Sequence, residues 1–89
     1  MEKENRTDAS SGLLKKIELL SLGRRIRRAR NLWGFSETVL ATVSGLDTDY
    51  LGEIEGGGHD LLFSELCEIC DVLRCDIAAL TKGILHLPA

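Results

Sequence analysis

Residues 31–73 contain no lysine and no arginine, although the chain carries 11 basic residues among its 89. That gap excludes a uniformly basic nucleic-acid binder and makes the net charge of −3 a poor guide to partners. Residues 1–30 hold nine Lys/Arg against four Asp/Glu, a balance of +5. Residues 31–73 hold nine Asp/Glu, a balance of −9, and residues 74–89 add +1. Proline occurs once and aromatic residues four times, and no stretch alternates with period two for long, which argues against a β-sandwich. There is no long apolar run, so no membrane span is expected. The opening "MEKENRTDASSG" lacks the apolar centre of a signal peptide. With three cysteines, an odd number, the chain is expected in a reducing cytoplasm.

What is present is helical punctuation in a length that fits one small domain. Residues 1–12 are polar and rich in small side chains, and read as a disordered tail. Residues 13–21 read as an amphipathic helical extension, with Leu13, Ile17 and Leu20 on one face. At 21–23 the reading leaves two alternatives: Ser21 caps a new helix, or the helix runs through with Gly23 tolerated at about 1 kcal/mol. From there Leu22, Ile26, Ala29 and Trp33 form the apolar stripe, with arginines between them, and Gly34 is the natural stop. Ser36 is placed to cap a second helix with Val39, Leu40 and Val43 inward. "SG" at 44–45 breaks it, and Asp47 is placed to cap a third helix carrying Tyr50, Leu51 and Ile54. "GGGHD" at 56–60 reads as a loop. A fourth helix over roughly 62–73 turns Leu62, Leu66, Ile69, Cys70 and Leu73 inward. Asp76 caps a short fifth with Ile77 and Leu80, Gly83 ends it, and residues 84–89 form a carboxy-terminal tail.

Five short helices with a tight turn between the second and third describe a helix-turn-helix. Over residues 22–83 the match is more specific. Leu22-Gly23 with Ile26-Arg27, then Gly34 and Ser36, Leu40-Ala41, Gly45, Leu51 with Ile54-Glu55, and the spacing of Leu73 to Leu80 follow one another in order. In that ordered set the chain resembles the Cro/C1-type, or Xre, helix-turn-helix family. The resemblance implies an all-α, five-helix, lambda repressor-like DNA-binding domain. It implies a close crossing at Ala41, a positive φ at Gly45 and an ion pair of Arg30 with Glu55 that fixes the first helix against the third. It also places the DNA contacts. Ser36 and Glu37 would stand at the phosphate backbone, Thr48, Asp49 and Glu53 would face bases, and Tyr50 would offer its hydroxyl to a phosphate.

Those contacts depart from the family pattern in charge. Glu37 stands where the family usually has Gln, and the loop after the third helix is Gly56, Gly57, Gly58, His59 and Asp60 where it usually brings a basic residue. Affinity for duplex DNA comes largely from cations that displace counterions. An Asp49 or Glu53 carboxylate accepts a hydrogen bond from cytosine N4 only if another group supplies the attraction. The source offered by the sequence is Arg24, Arg25, Arg27 and Arg28 on the first helix, extended by Lys15 and Lys16. The bland reading of the same arginines is a solvated face that balances the acidic middle of this molecule or of a second copy.

Two function classes follow. One is a sequence-specific transcriptional regulator on double-stranded DNA, working as a homodimer if it reads two half-sites. The other is a helix-turn-helix whose acidic face meets a basic protein partner, with little or no DNA binding. The residues Cys67, Cys70 and Cys75 lack a fourth ligand at zinc spacing, so core thiols are expected rather than a metal. No phosphate loop or catalytic constellation is visible, and neither enzyme activity nor a cofactor is expected.

Overall fold

A computed structural model describes the backbone of residues 2–84 and the side chains of residues 15–84. The order is α1 (Glu2–Trp33), α2 (Glu37–Ser44), α3 (Thr48–Glu55), α4 (Phe63–Leu73) and α5 (Ile77–Thr81), with no strand among the described residues. Of the two alternatives at 21–23, the helix runs through. Its backbone is also helical from Glu2 onward, across the stretch read as a tail. The Leu13 side chain, His86 and the tail beyond Ile84 lie outside the described residues.

Local chemistry sets the remaining boundaries. The Ser36 hydroxyl accepts from the Val39 N–H at 3.1 Å and satisfies one of the donors that open α2. Gly45 closes α2 at φ +73, the left-handed region that a Cβ disfavours. There its N–H donates to the Thr42 carbonyl at 3.3 Å and the next N–H, Leu46, donates to Ala41 at 2.8 Å. Asp47 occupies the cap position of α3, but its side chain accepts no capping bond. Asp76 caps α5 through the Ala78 N–H at 3.2 Å.

The core joins Leu22 and Ile26 of α1 to Leu40 and Ala41 of α2, Leu51 and Ile54 of α3, Leu66, Ile69 and Leu73 of α4, and Leu80 of α5. Two expectations of orientation are corrected. Val39 and Val43 do not face inward; Val43 is 63% exposed. An eight-residue helix buries one narrow stripe, and Leu40, Ala41 and Ser44 take it, which rotates Val39 and Val43 outward. Leu62 is not a core residue either: it stands at the cap of α4, 60% exposed, and its neighbour Leu61 fills the core instead.

One contact fixes how α1 meets α3. A Cβ placed on Gly23 would stand 2.5 Å from the backbone carbonyl oxygens of both Ile54 and Glu55. The helices therefore approach backbone to backbone, and Gly23 is required there rather than merely tolerated. Gly23→Ala would gain about 1 kcal/mol of helix propensity but would push apart a packed crossing, which costs about 1–3 kcal/mol or more. Net destabilisation is expected in urea melts. Gly52→Ala on α3 is the control: its Cβ meets only the Glu37 carboxylate at 3.5 Å, so it should stabilise.

Candidate nucleic-acid interface

The α2–turn–α3 unit is held from behind by one buried ion pair. Arg30 Nε donates to Glu55 Oε2 at 2.7 Å and Nη2 donates to Oε1 at 2.9 Å, a two-point contact. The Glu55 side chain is fully buried and that of Arg30 is 11% exposed. Arg30 Nη1 also donates to the Phe35 carbonyl at 2.8 Å, which ties the loop before α2 to the same guanidinium. Arg27 Nε adds a third donor to Glu55 Oε1 at 3.3 Å. The bond to Glu55 is the main reason that the Arg30 pKa is raised further, against a smaller opposing effect of burial. One ion pair thus gathers α1, the α1–α2 loop and the end of α3.

The face turned away from this pin carries the residues expected at DNA. At the front of α3, Asp49 is exposed and Thr48 half-buried, and one turn further on Glu53 is exposed. Glu37 lies over the middle of α3, its carboxylate against Gly52. Ser36 is exposed but already accepts the α2 capping bond. Glu53 has a neighbour in the loop, His59, at 3.2 Å. The face is therefore acidic in three dimensions as well as in sequence, and Val39 and Val43 of α2 are exposed.

Three expected contact groups are committed elsewhere. The Tyr50 hydroxyl is not free for a phosphate: it donates to Glu65 Oε1 at 2.8 Å, with the Asp60 carbonyl at 3.4 Å. Glu65 in turn accepts the Leu62 N–H at 2.8 Å and so caps α4. Arg25 does not belong to an exposed cluster, since its Nη1 donates at 2.8 Å to the carbonyls of Leu80 and Lys82 and closes the end of α5. Lys15 pairs with Asp60 rather than extending a free basic face. Arg24 and Arg28 remain exposed with no ion pair or hydrogen bond among the described residues. With Arg27, Asn31 and Leu32 they line a shallow groove on α1.

Glu65 was not singled out in the sequence. The signal was there: Leu62 and Glu65 have the spacing of a cap residue and its returning carboxylate. Trp33, placed on the apolar stripe by its spacing, is instead 52% exposed; its indole N–H donates to the Leu73 carbonyl and its ring stacks on Phe35 at 6.0 Å between centroids. Among the described residues there is no group of His, Cys, Asp or Glu able to hold a metal. Burial, with Cys75 as neighbour, pushes the Cys70 thiol up to about 12. A thiol with so little thiolate is a core filler.

The turn, the pinned third helix and the five-helix order define an all-α helix-turn-helix domain. The chain is similar to the restriction-modification controller protein C.AhdI from Aeromonas hydrophila, at 30% identity and a TM-score of 0.70 over 72% of this chain and 97% of that one. No protein-family model matches the chain, and no curated protein does. The chain belongs to the Cro/C1-type helix-turn-helix family. Among the described residues no helix is long and apolar enough to cross a membrane.

Two predictions follow from the pin and its neighbour. Arg30→Ala leaves the buried Glu55 with only the 3.3 Å contact to Arg27 and should cost about 3–5 kcal/mol in chemical denaturation. Tyr50, the only tyrosine, has its pKa raised to about 12, first by burial and then by the bond to Glu65. Because the folded value lies above the usual 10, the stability this contributes is complete below pH 10 and is lost as pH rises from 10 toward 12. Absorbance titration of the phenolate should find a single late transition, and Glu65→Gln should move it back toward 10.

Proposed function

We propose that this chain is a transcriptional regulator that binds double-stranded DNA sequence-specifically through α2 and α3. The observation that carries the reading is the α2–turn–α3 unit, pinned from behind by Arg30 and Glu55, with the amino-terminal turn of α3 presented at the surface. Similarity to a restriction-modification controller supports a regulatory rather than a catalytic role. In this reading Arg24 and Arg28, with the exposed part of Arg27, supply the attraction to the phosphate backbone. Thr48 makes a neutral contact, and Asp49 or Glu53 selects cytosine by accepting from N4. Arg25 and Tyr50 make no contact, because both are used inside the fold. Two half-sites would be read by a homodimer.

A second reading is favoured by one observation, the acidity of the presented face. Glu37, Asp49 and Glu53 are repelled by a polyanion, and the same surface would suit a basic protein partner.

Salt dependence separates the two. DNA reading predicts binding to duplex DNA whose affinity falls steeply with salt, with the log–log slope reduced by about one for each of Arg24→Ala and Arg28→Ala. It predicts that D49K/E53K loses base preference. If the native chain fails to bind duplex DNA at low salt and D49K/E53K gains binding, the DNA reading is wrong and the acidic face serves a protein.

A further inference from the structure

We propose that His59 is a positioning residue of the recognition face: it holds the Glu53 carboxylate in the orientation that reads a base, so that Glu53, and not Asp49, selects cytosine. The inference rests on the DNA reading given above and narrows it to one side chain. Both carboxylates are exposed on α3, but they differ in what holds them. His59 Nε2 stands 3.2 Å from Glu53 Oε2. That contact engages one oxygen and leaves Oε1 to accept from cytosine N4. Asp49 has no ion pair or hydrogen bond among the described residues.

His59 is itself held in place. Just before it, the Gly58 N–H donates to the Glu53 carbonyl at 2.9 Å and the Gly57 N–H to the Ile54 carbonyl at 3.0 Å, so the loop turns back onto the end of α3. Gly57 takes φ +74, and a Cβ there would stand 2.8 Å from the Leu20 Cα, which sets the loop against the backbone of α1. The imidazole meets the Tyr50 ring at an edge, with centroids 5.3 Å apart and planes at 69°. Tyr50 is fixed in turn by its bond to Glu65. Just after it, Asp60 pairs with Lys15 of α1, and its carbonyl lies 3.4 Å from the Tyr50 hydroxyl. The loop of three glycines thus delivers one imidazole to a defined place beside Glu53.

What this does for recognition follows from the side chain. A free glutamate on a helix surface samples many rotamers, and ordering it at a base costs entropy. A glutamate held before binding avoids much of that cost. Position also sets selectivity. Cytosine N4 and adenine N6 are both donors in the major groove, and a carboxylate that swings freely accepts from either. One held in place accepts from the donor that its position meets. His59 is also the sole basic side chain in residues 31–73, which hold no lysine or arginine. A donor there offsets the charge that Glu53 presents to the phosphates.

Selection from a random duplex DNA library, run with the full chain and four variants of checked helix content, tests it together with one measurement made without DNA. The native chain should enrich a motif with a required cytosine. His59→Phe keeps a ring against Tyr50 but removes the donor, and should lower the preference at that position at least about fivefold while the other positions hold. His59→Gln, whose amide nitrogen reaches about as far as Nε2, should restore it. Glu53→Gln should turn the same position toward adenine, and Asp49→Asn should leave it unchanged. Without DNA, the nitrogen-15 signal of His59 Nε2 should shift in Glu53→Ala while that of His86 stays. An unmoved His59 signal overturns the proposal even where the native motif stands. So does a cytosine position that follows Asp49→Asn, or a His59→Phe variant that keeps its preference or weakens every position alike. A native chain that enriches no motif, with the His59 signal still answering to Glu53, refutes the DNA reading itself and the proposal with it.

Discussion

The architecture depends on a single place where three segments converge on the ion pair of Arg30 with Glu55. A buried carboxylate without partners carries a desolvation cost of several kcal/mol. Here the two-point contact with Arg30, helped by Arg27, offsets that cost. The same guanidinium holds the Phe35 carbonyl, so the entry to α2 is fixed with the exit of α3. Gly23 makes the arrangement possible: the absence of a Cβ lets α1 lie against the carbonyls of Ile54 and Glu55, within reach of the arginines one and two turns further along. Close backbone approach and ion pair are thus one constraint. Together they turn two eight-residue helices, too short to be stable alone, into a rigid surface.

The fold was legible because its signals are redundant. Ser36, Gly45 and Asp76 each stand where a cap or a left-handed turn is needed, and the leucines and isoleucines between them keep helical spacing. The misjudged orientations have a common cause. Val39, Val43 and Leu62 are apolar residues adjacent to other apolar residues, and periodicity in so short a helix does not decide which of two neighbours is buried. Packing against α3 and α4 decides it. The role of Gly23 was hidden for a related reason: a glycine within a helix reports a cost locally, whereas its benefit lies 31 residues away at Ile54.

The candidate site was legible in position and only partly in chemistry. The acidic character of Glu37, Asp49 and Glu53 is plain in the sequence and persists in space. What the sequence did not reveal is which cations remain available. Five arginines in seven residues look like one patch, but the helix distributes them around its circumference. Arg25 faces the end of α5, Arg27 and Arg30 face Glu55, and Arg24 and Arg28 face solvent. Tyr50 shows the same effect, since its hydroxyl is taken by a carboxylate 15 residues away. Charge counting overstates the basic surface for this reason, and in the proposed DNA reading a face without cations of its own draws on two or three side chains of α1.

The central claim is that this acidic recognition face reads DNA with help from α1. Selection of bound sequences from a random duplex library at moderate salt, using the native chain, tests it most directly. The account predicts an enriched motif in which cytosine is required at the positions facing Asp49 or Glu53, arranged with two-fold symmetry if a dimer reads two half-sites. A bound fraction no different in sequence from the starting library, with retention that disappears as salt rises, would contradict it.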